Sequence, residues 1–325
     1  MRHLTRSVAE NKLAHANLIV GPRDVGKLAL ALELARAVNC LADVADRPCN
    51  ECVQCSRIAA GQHADVHLIS LRHTSNAKER RKEMSIDDVR EVEHLASLMP
   101  FEGRCRVFIF DEAERLSEEA SNALLKTLEE PPPHVLLVLT TTKEDSLLPT
   151  IRSRCQRLEM RPLPFEDVVE SLVRDQGLER NEAERLARLS RGRIGWAVNA
   201  ARDPQGAEER AIDLGELAGL TQASLYERFQ FADSLARKFV QDREKGRESL
   251  YLWLQWWRDV LLVQAGLREF VLNFEQIEEL QQEAGRYSQA AVTAFMHRVM
   301  WTLDALEHNA TPRLALENLM LSMPR

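Results

Sequence analysis

Residues 21–28 read Gly21-Pro22-Arg23-Asp24-Val25-Gly26-Lys27-Leu28 and fit the phosphate-loop pattern GxxxxGK[ST] at every position but the last. In such a loop the backbone N–H groups and the N-terminus of the following helix hold an anion, and the lysine reaches the β- and γ-phosphates. Gly21, Gly26 and Lys27 are therefore candidate nucleotide-binding residues. Leu28 replaces the hydroxyl that would bind Mg2+, and Asp24 puts a carboxylate where an anion would sit. Phosphoryl transfer depends on positioned metal and charge, so this loop is not expected to turn nucleotide over. Retention of unhydrolysed ATP or ADP stays open.

A second acidic element follows the apolar run Val107-Phe108-Ile109-Phe110. Asp111 and Glu112 have the placement of the metal-binding and water-activating carboxylates of a Walker B strand, or of a solvated strand end. Cys40, Cys49, Cys52 and Cys55 form C-x8-C-x2-C-x2-C. Two interlocked CxxC steps bring four thiolates to one tetrahedral ion, a closed and therefore structural zinc site. Pro48 and Asn50 supply turn chemistry around it. Unrelated buried thiols or disulfides are the alternative, which a reducing compartment disfavours. Cys105 and Cys155 lie outside the cluster, and His63 and His67 read as loop residues. Arg154, in Ser153-Arg154-Cys155, carries a permanent charge in a fixed fork that matches phosphoryl oxygens. From the residues alone it does not differ from its neighbours Arg152 and Arg157, and an ion-pair role stays open.

These side chains need a scaffold, and the patterning supplies one. A strand over 17–20 precedes the loop and an amphipathic helix over 29–39 follows it. Residues 117–130 have helical period, with Ala120, Leu124 and Leu128 on one face, and Pro131, Pro132 and Pro133 stop them. A buried strand over 135–139 ends in Thr140, Thr141 and Thr142. Strand, helix and strand imply a right-handed crossover in a parallel sheet, with ligands at the carboxyl edge. A helix and loop are expected over 4–17, a strand over 66–71 and a charged surface loop over 73–83. Ser85 and Asp88 form a capping pair for a helix whose buried stripe reads Val89, Val92, Leu95, Ala96 and Met99, before a turn at Pro100-Phe101-Glu102-Gly103. Helices follow over 165–176, 181–190 and 194–201. Then comes a break at Asp203-Pro204-Gln205-Gly206 and a C-terminal region of helical period. Trp253, Trp256 and Trp257 fit core packing better than base stacking.

The bulk composition bounds the function. With 325 residues, 45% of them apolar, the chain can hold two or three cored domains. Its 43 basic and 50 acidic side chains give a net charge of -7, so it does not coat DNA as a polycation. No stretch reaches the length of a membrane span and the N-terminus lacks the apolar centre of a signal peptide, which leads to the expectation of a cytoplasmic protein.

The loop at 21–27, the four-cysteine insertion, His63-Ala64-Asp65, residues 86–90 (IDDVR), residues 110–113 (FDEA), residues 122–131 (NALLKTLEEP) and Ser153-Arg154-Cys155 occur in that order. Together they resemble the clamp-loader AAA+ subunits of bacterial DNA polymerase III, over about residues 1–200. Leu28, Asp24 and the Gly195 of Gly192-Arg193-Ile194-Gly195, where an active subunit would carry a sensor-2 arginine, align the chain with the delta-prime branch rather than the gamma/tau motor.

The resemblance implies an α/β AAA+ domain, a P-loop NTPase-like parallel sheet with flanking helices, over 1–160 with a zinc-binding insertion at 40–55. An all-α lid over 161–203 and an all-α C-terminal collar over 204–325, which in the family joins five subunits, would follow. It further implies a stator that is not catalytic alone, with Arg154 as an arginine finger acting in trans on a neighbouring ATPase subunit. The implied partners are the gamma/tau-type motor and the delta-type clamp-opening subunit, with the sliding clamp and primed DNA reached through the complex. The alternatives are an ATP-hydrolysing gamma/tau-type motor subunit that tolerates Leu28 and a zinc-dependent DNA-binding module, which the overall acidity disfavours.

Overall fold

The computed structural model describes residues 13–71, 83–308 and 310–324. The expected N-terminal helix before residue 13 and most of the charged segment at 73–83 lie outside the described residues. The chain divides into two compact units. One runs to Ser171 and includes Ser190–Ala197; the other comprises Leu172–Leu189 and the chain from Val198 onward.

The first unit is built on five parallel strands: β1 (Ala16–Val20), β2 (Val66–Ile69), β3 (Arg106–Phe110), β4 (Val135–Thr141) and β5 (Gln156–Glu159), in the spatial order β2-β3-β4-β1-β5. Strand side chains alternate between faces. Phe108, Phe110, Leu137 and Leu139 therefore enter one apolar cluster with Leu18, while Val107, Ile109, Leu136 and Val138 enter another with Ile19. Helices cover both faces, which is why residues 107–110 of β3 and 135–139 of β4 are apolar without interruption. α1 (Lys27–Asn39) and α2 (Val53–Ala59) supply Ala31, Ala35 and Ile58 to the Ile19 cluster. α3 (Ile86–Ala96), α4 (Glu118–Glu129) and α5 (Pro149–Arg154) supply Val89, Leu124, Leu128 and Ile151 to the Leu18 cluster.

Local chemistry sets the helix limits. Asp88 accepts from the backbone N–H and the hydroxyl of Ser85 at 2.7 and 2.8 Å, closing the expected cap of α3. At α4 the Ser117 hydroxyl accepts from Ala120 N at 3.1 Å. The stripe on α3 is shorter than its pattern suggests. The helix ends at Ala96, so Met99 leaves the buried face and is 73% exposed.

Two buried polar side chains fix the approach to β3. Asn39, the last residue of α1, accepts through Oδ1 from Arg104 N and Cys105 N and donates through Nδ2 to Cys105 O. Asp65, before β2, accepts from the N–H groups of Phe101, Glu102 and Gly103, each at 2.8 Å, and from Arg106 Nη2 at 3.0 Å. Burial alone would raise the Asp65 pKa. The three N–H donors and the Arg106 charge outweigh it and hold the carboxyl below its ordinary range.

The chain leaves the sheet through α6 (Phe165–Gln176), α7 (Arg180–Ser190) and α8 (Ile194–Arg202), close to the expected limits. The expected break at 203–206 is instead a helix start. Pro204 opens α9 (Pro204–Gly219), where a missing N–H costs nothing because the first turn has no intrahelical acceptor for it. The second unit continues through α10 (Leu225–Gln241), α11 (Arg243–Gln264), α12 (Ile277–Arg286), α13 (Gln289–Glu307) and α14 (Pro312–Leu321). Trp253, Trp256 and Trp257 are buried in its core, and Phe295 lies edge-on to Trp253 and Trp257 at 5.1 and 5.3 Å. Core packing is thus their role. No helix among the described residues is long and apolar enough to cross a membrane.

Candidate nucleotide-type and metal sites

The loop at 21–28 connects β1 to α1, as the strand-loop-helix context requires. Asp24 and Gly26 have φ of 59° and 96°, and Gly26 is the N-cap of α1. Lys27 turns back onto its own loop: its Nζ donates to Gly21 O at 2.8 Å and Pro22 O at 2.7 Å. Burial lowers the Lys27 pKa, against the opposing charges of Glu114, Asp111 and Asp24. Leu28 packs against the Ile19 cluster, an apolar role at the position where a hydroxyl would face Mg2+. At Gly21 a Cβ would stand 2.4 Å from Met160 O, so that position admits only glycine. Gly195 donates its N–H to Asp24 O, which ties the start of α8 to the loop.

The acidic edge lies at the ends of β3 and β4. The Thr140 hydroxyl donates to Asp111 Oδ1 at 2.7 Å and accepts from Glu112 N at 3.2 Å. Glu112 has φ of 58°, and its Oε2 lies 3.9 Å from Arg115 Nε. A third carboxylate, Glu114, is one that sequence reasoning missed. Its Oε1 accepts from Thr142 N and Oγ1 at 3.2 and 2.6 Å. Burial pushes its pKa up, but hydrogen bonds led by that from Thr142 hold it below the ordinary value. The available signal was a further acid two positions beyond Glu112. Gly21, Gly26, Lys27, Asp111 and Glu112 thus sit at the carboxyl edge of one sheet, with two of the three lysine donors bonded to loop carbonyls and the charges of Glu114, Asp111, Asp24 and Arg23 acting on it.

Arg154 ends α5. Its Nη1 donates to Thr150 O at 3.0 Å and its Nη2 pairs with Glu129 Oε1 at 2.5 Å, leaving the side chain 35% exposed. Arg152 pairs with Asp145, and Arg157 with Glu144 and Glu159.

The four cysteines converge. Cys40 caps the end of α1, Cys52 caps the start of α2, and Cys55 lies in the first turn of α2. All four Sγ atoms are within 4.8 Å of one another, with Cys40 to Cys49 at 3.5 Å and Cys40 to Cys52 at 4.0 Å. A tetrahedron with Zn–S bonds near 2.3 Å has sulfurs about 3.8 Å apart, so the donors fit zinc. The backbone N–H groups of Cys49 and Cys52 point at Cys40 Sγ and Cys49 Sγ, at 3.4 and 3.3 Å, which favours thiolates. At Cys52 burial opposes ionisation, yet N–H and S–H donors draw the thiol down to about 6, whereas burial holds Cys55 up at about 12. A divalent cation supplies the charge that lets all four ionise together. His63 and His67 are not in this cluster. His63 lies in the loop before β2, as expected, but is buried beside Glu102, whereas His67 differs from the expected loop placement: it lies in β2, stacked on Phe108 at 5.2 Å. Burial lowers both their pKa values.

A parallel sheet in the order β2-β3-β4-β1-β5, with a phosphate-type loop after β1 and an Asp-Glu pair after β3, defines a P-loop NTPase-like domain, followed here by a helical region. The chain belongs to the family described as DNA polymerase III, delta subunit, whose model matches residues 1–164. DNA polymerase III subunit delta' of Bacillus subtilis is 29% identical over 99% of this chain and 94% of its own length. Subunit tau of the same organism is 36% identical over 51% of this chain, which is 28% of tau. Among solved structures, a DNA polymerase III gamma subunit-related protein of Thermotoga maritima aligns at 20% identity and a TM-score of 0.43, over 98% of this chain and 97% of that one.

Proposed function

We propose that this chain is a delta-prime-like stator of the DNA polymerase III clamp loader, which helps to load the sliding clamp onto primed DNA in the cytoplasm. The observation that carries this reading is the end-to-end likeness to delta', combined with a phosphate loop whose Lys27 is bonded to Gly21 and Pro22 and whose Leu28 is packed inward. In this reading the chain is not catalytic alone. It holds a delta-type clamp-opening subunit on one side and presents Arg154 to nucleotide bound by a gamma/tau-type motor on the other. Residues 1–160 act as the AAA+ domain, 161–203 as a lid and 204–325 as a collar that joins the subunits. Zinc at Cys40, Cys49, Cys52 and Cys55 stabilises the junction of α1 with α2 and takes no part in chemistry.

A hydrolysing motor subunit is the second reading, favoured by the higher identity to tau and by the presence of both Asp111 and Glu112. Assays of nucleotide binding and Mg2+-dependent hydrolysis on the isolated chain, beside the reconstituted complex, separate the two. The stator reading expects no turnover alone and a loss of complex ATPase with Arg154→Ala. Turnover by the isolated chain that disappears with Lys27→Ala supports the motor.

A further inference from the structure

Arg154 follows Ile151 by one helical turn, and Glu129 directly follows Leu128. Ile151 and Leu128 are buried in the same apolar cluster. Proline fixes the local chain at both places: Pro149 opens α5, and Pro131 follows the C-cap of α4 at Glu130. The two charges thus stand beside buried anchors, Ile151 one turn before Arg154 and Leu128 next to Glu129, and the side chains are the parts placed to exchange partners. Arg152 and Arg157 are tied within the local segment 144–159, whereas the carboxylate on Arg154 comes from a different helix.

We propose that Glu129 is a latch for the arginine finger: it holds Arg154 in cis, and the triphosphate of the neighbouring subunit must displace the Glu129 carboxylate to take the guanidinium. This rests on the finger reading given above. A carboxylate and a phosphoryl group present the same kind of paired oxygens to the guanidinium fork, so they compete for the same donors. Thr150 O keeps one arm of the fork in place throughout. The pair is half-exposed, at 35% for Arg154 and 50% for Glu129, so it is weak enough to exchange on every cycle. When the phosphoryl group leaves, the carboxylate recovers the fork and the finger is withdrawn from product.

The test uses the reconstituted loader containing this chain, with ATPase measured across ATP concentration. Glu129→Gln keeps an acceptor but removes the competing charge. The expected result is a half-saturating ATP concentration about two- to fivefold lower, with kcat at saturation within about twofold of the parent. Glu129→Asp, which draws the charge back by one methylene, shifts it in the same direction by less. It also keeps the test available should Glu129→Gln fail to assemble. On an Arg154→Ala background, Glu129→Gln has no further effect. A normal half-saturation in Glu129→Gln beside a defective Arg154→Ala overturns the latch and leaves the finger standing. A fall in kcat in Glu129→Gln also overturns the latch, because Glu129 would then be orienting the finger during catalysis. An unaffected Arg154→Ala overturns the finger itself and the latch with it.

Discussion

Gly195 donates its backbone N–H to the carbonyl oxygen of Asp24 across 2.7 Å, and a Cβ on residue 195 would stand 2.9 Å from that same oxygen. The start of α8 is thereby seated on the phosphate-type loop with no room for a side chain to leave in that direction.

Gly195→Ala should therefore destabilise the chain, by about 1–3 kcal/mol, because the neighbouring atom is backbone and cannot swing aside. Gly215, in α9, has nothing within 4 Å of its would-be Cβ. Gly215→Ala should be neutral or stabilising by up to about 1 kcal/mol, since alanine is the better helix former. Urea unfolding of the two variants beside the parent checks the contrast.

Asp65 and Arg106 make a buried pair in which each partner compensates the other. Asp65→Asn leaves the Arg106 charge in place without its counter-charge and should cost about 3–5 kcal/mol. The pH dependence follows from the lowered Asp65 pKa in the folded state. Its contribution is fully present above the unfolded value, near 3.8, and is lost as pH falls through the folded one. Denaturation curves between pH 6 and pH 3 should show the parent losing more stability than Asp65→Asn over that interval. Parallel curves would contradict this.

Metal analysis of the purified chain should give about one zinc per molecule, and Cys55→Ser should lower that content. Removing zinc with a chelator should loosen the segment from Cys40 to Cys55 while β1, β3 and β4 stay protected, since Ile58 and the apolar faces of the sheet are packed independently of the sulfurs. Amide hydrogen exchange reads this directly. Exchange that rises equally across the whole sheet would contradict it.

Much of the fold could be read from local pattern. β3 and β4 announce themselves as short apolar runs, and α4 through its serine cap and terminal prolines. The four cysteines were legible because their spacing is itself the geometry. What escaped depended on distant contacts or on single residues at an element's end. Met99 continues the period of α3, but Ser97 ends the helix first and the pattern carries no sign of that. Pro204 reads equally as a breaker or a first helical residue. Glu114 gains meaning only when β4 brings Thr142 to it, and Asp65 only when the turn at 101–103 closes over it. Arg154 could not be told from Arg152 and Arg157 by residue type, and the difference lies in the helix that supplies its carboxylate.

Asp24→Gly combined with Leu28→Thr removes a negative charge from the loop and supplies a hydroxyl for Mg2+. The affinity for Mg2+-ATP, measured by calorimetry, should rise at least about tenfold over the parent, equivalent to about 1.4 kcal/mol. No gain would mean that the Lys27 contacts with Gly21 and Pro22, together with the seat of Gly195 on Asp24, close the loop by themselves.

If Arg154 acts on another subunit's nucleotide while this chain hydrolyses none, the DNA-stimulated ATPase of the reconstituted loader carrying Arg154→Ala, with the isolated parent chain assayed alongside, decides the matter. A finger contributes on the order of 10³ in rate at its site, so hydrolysis at the site facing this chain should all but cease while the isolated chain stays silent. A complex that runs at the parent rate with Arg154→Ala, or an isolated chain that hydrolyses ATP, would contradict it.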